Sequence, residues 1–189
     1  MKKLIFPALL LCLPLAAMAD TAALKAEAKQ ITGAFFKELK GELVKGMKAG
    51  GPIAAIGVCN SLAPLIAAKH SNESGWDVGR TSLKLRNPAN APDAWESKVL
   101  HEFENRIANG QGADSLVYAE TVDDGGDKVF RFMKGIVMPP VEKMPCLKCH
   151  GENLNDKVAA KLDELYPQDQ ARGYKAGQVR GAFTLKKKL

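Results

Sequence analysis

A chain of 189 residues with 46% hydrophobic content is the size of one ordinary domain and can bury a real core. Its 27 basic and 21 acidic residues give a formal charge of +6. The basic residues are spread along the chain apart from Lys186 to Lys188, which argues against a nucleic-acid or membrane-surface patch.

The first 19 residues carry Lys2 and Lys3, an apolar run from Leu4 to about Ala17, and a small-x-small ending at Ala17-Met18-Ala19. This is the pattern of a cleaved export signal. Pro7 and Pro14 interrupt the run, which falls short of the roughly 18 to 20 residues of a spanning helix. The expectation is cleavage after Ala19, a single domain over residues 20–189, a periplasmic location and no membrane anchor, since no second apolar segment reads as long enough to span. Cys12 leaves with the signal, and Leu11 before it disfavours lipid attachment. Cys59, Cys146 and Cys149 remain in a compartment that oxidises thiols. An odd count leaves one unpaired whichever two are joined.

Apolar positions at Leu24, Ala28, Ile31, Ala34/Phe35, Leu39 and Leu43 recur at three-to-four spacing, which predicts an amphipathic helix over 22–48. Gly50-Gly51 should break it, and Pro52 suits the first turn of a second helix over 52–71. Ala55, Ile56, Cys59, Ala63 and Ile66 form one stripe there. Pro64 lies inside the pattern, so a kink or a freed carbonyl near Asn60 is expected.

A strand is expected over 76–85 and a helix over 92–108, with Trp95, Val99, Phe103 and Ile107 on one side. The DDGGD run, Asp123 to Asp127, is the strongest hairpin signal and joins strands over 115–122 and 128–137. A short helix over 155–165 and a last strand over 177–187 complete the chain. The sum is an α+β fold, an antiparallel sheet with flanking helices.

The stretch MPCLKCHGENL, Met144 to Leu154, holds the chemistry. A Cys-x-x-Cys-His run reads as c-type haem attachment: Cys146 and Cys149 can add to the two vinyl groups of one porphyrin edge, and His150 then lies under the iron as an axial ligand. One rival is a thiol-disulfide oxidoreductase, whose motif normally ends the first strand of a βαβ unit. A zinc site is the other, weakened because adjacent Cys149 and His150 make poor simultaneous ligands. Neither an obvious hydrolytic nor a transferase site stands elsewhere. An enzyme working through an openable haem site remains a further alternative.

Candidates for the sixth ligand are Met47, Met133, Met138, Met144, His70, His101 and Cys59. Residue chemistry leaves this choice open. His70 and His101 read as solvated or capping residues, Met138 as the best methionine, and Cys59 as either ligand or small hydrophobe. In the tail, Gly173, Gly177 and Gly181 suit turns or close backbone approach. Tyr166, Tyr174 and Arg180, with Arg86 and Arg80, are candidates to meet the porphyrin edge or its propionates.

The runs GRTSLKLRNPANAPDAWE and YPQDQARGYKAGQVRGAF, together with CLKCHG, resemble an exported c-type haem domain family with a PAS-like fold. Its members occur alone or as sensor modules of bacterial signalling proteins. The resemblance implies one covalent haem c on Cys146 and Cys149, His150 as one axial ligand, and Cys59 as the other. It implies electron transfer or redox or gas sensing, with an unidentified redox or signalling partner and a diatomic gas as a conceivable ligand.

Overall fold

The computed structural model describes residues 15–189, with side chains from Asp20 onward. The expected export signal, residues 1–19, lies outside the residues whose side chains are described. Helix α1 spans Leu15–Gly57 and is broken where the glycine pair predicted it: Gly50 and Gly51 leave helical geometry, Gly51 at φ 66°. The chain folds back there. Gly46 makes the return possible, since a Cβ on it would stand 3.1 Å from the Ala55 Cα.

The expected kink at Pro64 takes a specific form. A π-helical turn, Val58–Leu62, precedes helix α2, Ala63–Ser74. Pro64 has no N–H for the Asn60 carbonyl. The ladder widens just before it, and the Ala63 N–H bonds the Val58 carbonyl five residues back. Such turns recur at functional positions, and this one contains Cys59.

The sheet is antiparallel, in order β1-β4-β3-β2, built from β1 (Asp77–Thr81), β2 (Val117–Asp124), β3 (Asp127–Val137) and β4 (Val179–Lys188). Gly125 and Gly126, both at positive φ, close the predicted hairpin with a two-residue turn. The helical hairpin covers one face, where Ala28, Phe35 and Ile66 meet Trp76, Phe130, Phe132 and Phe183. Helix α3, Ala94–Ala108, covers the other through Val99, Leu100 and Phe103 against Met133 and Ala182. Asp93 and Glu96 form a capping box at its start, which satisfies two otherwise orphaned N–H groups. The α+β class expected from sequence is therefore the one observed. Helix α5, Asp156–Leu165, matches the helix expected over 155–165, and Asn155 caps its start.

Two expectations change. Strand β1 stops at Thr81 rather than Leu85, because Ser82 turns the chain and its hydroxyl reaches the Arg180 and Lys84 carbonyls at 2.7 and 2.9 Å. The helical run from Asp20 to Ser74 also holds an 18-residue window of mean hydropathy 1.6, long and apolar enough by composition to cross a membrane, although Ala55, Ile56, Ala63 and Ile66 of that run are buried in the core.

Gly181 sets how closely β4 meets the end of β1. Its φ is 155°, and a Cβ there would lie 2.3 Å from the Thr81 carbonyl oxygen. Gly181→Ala combines backbone strain with overpacking, so a loss of about 2–5 kcal/mol is expected. Urea unfolding of the two proteins would measure it, and a loss under 1 kcal/mol would show that the strands separate at little cost.

Candidate functional site

Pro139, Pro140 and Pro145 prevent β3 from continuing past Val137. The chain instead turns into a single helical turn, α4, Leu147–His150, with Cys146 at its N-cap. This turn forms one wall of a cavity of about 330 Å³, a size typical of small-molecule and cofactor sites. Phe36, Leu39 and Leu43 of α1 form another wall, with Ile56 and Cys59 of the return segment, while Ile136, Met138 and Phe183 close the sheet end. Cys146, Cys149 and His150 face the same space. Residues separated by 87 positions or more, from Cys59 to Cys146, are thereby brought together.

His150 is oriented by its backbone surroundings. Its Nδ1–H donates to the Ala171 carbonyl at 2.8 Å, which leaves the lone pair on Nε2. Burial holds the imidazole well below its ordinary range, and Arg180 and Arg86 push the same way against the Ala171 bond. It is a neutral imidazole whose Nε2 could serve a metal, and Arg86 Nη1 lies 3.4 Å from that nitrogen. Burial also pushes the Cys59 thiol up, opposed by Arg80, Arg86 and Arg180. Cys146 is raised chiefly by burial, and Cys149 is pushed to about 11 by the same cause. All three cysteines are free thiols.

The structure sorts the other sequence candidates. Met47, Met138 and Met144 line the cavity, whereas Met133 is fully buried in the core under α3. His70 is buried rather than solvated, because it pins α2 to α1 through Glu38 at 3.0 Å and packs against Phe35. His101 is exposed and pairs with Glu104. Tyr166 and Arg180 line the cavity. Tyr174 stands behind His150, with ring centroids 6.3 Å apart and its N–H on the His150 carbonyl at 2.9 Å. Arg86 lines the cavity too, but its donors are already engaged.

A match to known proteins follows this geometry. The family model described as Tll0287-like matches residues 14–187. The chain belongs to the Tll0287-like family. The crystal structure of the cyanobacterial heme-protein Tll0287 superposes with a TM-score of 0.60 at 22% identity, covering 84% of this chain and 93% of that one. This likeness shows a shared fold. No curated protein matches.

In this Tll0287-like chain, the residues that orient His150 were not all singled out from sequence. Asp169 is the one missed. Its side chain is 1% exposed and it accepts two bonds from Arg86, at 3.1 Å each. Arg86 in turn donates to the Cys149 carbonyl at 2.6 Å and the Ala171 carbonyl at 3.1 Å. The pair therefore holds both the helical turn that carries His150 and the carbonyl that sets its tautomer. The sequence signal was faint: an aspartate two residues before Ala171, whose N–H it also accepts at 2.9 Å.

Removing one partner of a buried ion pair strands the other. Asp169→Asn is expected to cost about 3–5 kcal/mol. Burial raises the Asp169 carboxyl, but hydrogen bonds from Arg86 and Arg172 outweigh it and hold the group below the usual carboxylate range. A depressed folded value means that its contribution is present above the unfolded value near 3.9 and is lost as pH falls through the folded one. The stability gap between wild type and Asp169→Asn should therefore be constant from about pH 5 to 8 and shrink below about pH 4. Denaturant titrations across that range check it, and a gap that widens in acid would contradict it.

Proposed function

We propose that this protein is an exported single-haem c-type cytochrome that acts in electron transfer or in redox or gas sensing. The observation that carries the reading is the convergence on one apolar cavity of the Cys146 and Cys149 thiols, the unprotonated Nε2 of His150, which Arg86 Nη1 approaches at 3.4 Å, and the third thiol of Cys59. The residues fit the group. Two thiols three positions apart meet the demands of porphyrin attachment, and a neutral imidazole and a thiol supply axial donors. Likeness to a protein described as a heme-protein adds support, and cleavage of residues 1–19 as an export signal would deliver the chain to where such attachment is carried out.

When bound, the iron would supply one-electron redox chemistry. The protein's part is to hold, orient and dehydrate it. Ala171 fixes the His150 tautomer, Arg86 and Asp169 fix Ala171, and Phe36, Leu39, Leu43 and Phe183 exclude water. Cys59 would bind as thiolate, since coordination to a metal removes a thiol proton even where burial opposes ionisation. With His150 and Cys59 both holding the iron, no resting vacancy would be left for a substrate. Such a donor set would suit electron exchange, or a sensor whose Cys59 thiolate would hold ferric iron more tightly than ferrous iron. The output then passes to a redox or signalling partner.

The thiol-disulfide alternative loses ground here. Such enzymes need a thiol ionised near neutral pH, whereas burial pushes Cys146 up and Cys149 to about 11. The test of the proposal is production with haem-maturation machinery followed by denaturing electrophoresis. Retained haem is expected, and haem extracted by acidic acetone would sink the covalent reading.

A further inference from the structure

The cavity is rich in arginine and poor in carboxylate. Arg80, Arg86 and Arg180 all line it. Arg86 is neutralised by Asp169. Among the described residues, neither Arg80 nor Arg180 forms an ion pair with any acidic group, although most other clustered cations do: Arg131 has Asp93 and Glu96, and Arg172 has Asp163 and Asp169. Arg180 is held by neutral atoms, with Nη1 on the Ser82 hydroxyl at 2.7 Å and the Lys84 carbonyl at 3.2 Å. Its Nε lies 3.3 Å from His150 Nδ1, which already carries a proton, so that approach adds no good acceptor. Lys40 also lines the cavity, but it is exposed at the rim and water can serve it.

We propose that Arg80 and Arg180 are the anion anchors of the cavity and take the two carboxylates of a dianionic tetrapyrrole. This deepens the haem reading and rests on it. Once a flat apolar group displaces cavity water, an arginine with no counter-ion is costly, and a guanidinium pairs best with a carboxylate through two parallel bonds. Two unpaired guanidiniums match two carboxylates.

Midpoint potential against pH, from 5 to 9, tests this on haem-loaded wild type, Arg80→Leu and Arg180→Leu. Without its arginine a buried carboxylate should titrate inside that range. Each leucine variant is therefore expected to gain a pH-dependent step absent from wild type, approaching tenfold in the reduction equilibrium per pH unit, about 59 mV. Curves displaced in parallel, with no added step, would overturn the proposal. If a leucine variant does not accumulate, Arg80→Lys and Arg180→Lys are read by the propionate bending modes of the resonance Raman spectrum. A shift from wild type supports the pairing, and identical modes refute it. Haem lost from wild type in acidic acetone would instead strike the covalent assignment, and is read separately.

Discussion

Serine at both Cys146 and Cys149 is expected to abolish haem retention in denaturing gels, the largest effect of any change considered. Thioether bonds need sulfur nucleophiles, and serine hydroxyls do not replace them. Both thiols are half-buried against the cavity rather than facing solvent, so the porphyrin edge they would attack is held inside the protein. His150, Cys59 and the apolar walls remain in the double variant, and they can keep haem bound while the protein stays folded. The contrast to look for is thus haem present in native buffer and absent after denaturation. Single variants keep one thioether and should retain haem under denaturation with an altered spectrum. Haem that survives denaturation in the double variant would refute the attachment assignment.

Cys59→Ser has the second largest expected effect, and it falls on the electronic state of the iron rather than on attachment. Serine is close in size to cysteine, and Cys59 sits in a π-helical turn set by backbone constraints at Pro64, so the fold should hold. Covalent haem stays, but the low-spin ferric signal of thiolate ligation should vanish. Thiolate stabilises the ferric state, so its loss should raise the potential by on the order of 100 mV, nearly two decades at about 59 mV each. Visible and EPR spectra of the two ferric proteins, followed by redox titration, give the answer. Unchanged spectra would make Cys59 a wall residue and pass the sixth position to Met138, Met47 or Met144, all of which face the cavity.

Local rules carried much of the fold. The Gly50-Gly51 break, the Gly125-Gly126 hairpin, the short helix over 155–165 and the α+β class all depend on periodicity or on the φ/ψ demands of a few adjacent residues, so they were legible in the chain. The Cys-x-x-Cys-His motif was legible for a similar reason, since the proposed haem attachment rests on the spacing of its thiols. Where a long-range contact intervened, expectation and structure diverge. Ser82 ended β1 early through a bond to Arg180, 98 positions away. His70 read as a polar helix end, yet its partner Glu38 lies 32 positions back on another helix.

The sequence by itself determined the donor set on which the proposed attachment rests: two thiols and an imidazole in one turn, plus one cysteine left without a mate. Only the tertiary structure decided what joins them. Met133 lies within β3 and Met138 just past its end, yet the first is buried beneath α3 and the second lines the cavity. Arg86, Arg80 and Arg180 are alike by composition, yet Asp169 claims the first from 83 positions away and leaves the other two without a carboxylate. Charge pairing and solvent exclusion depend on distance through space, and no spacing along a chain encodes that until the chain has packed.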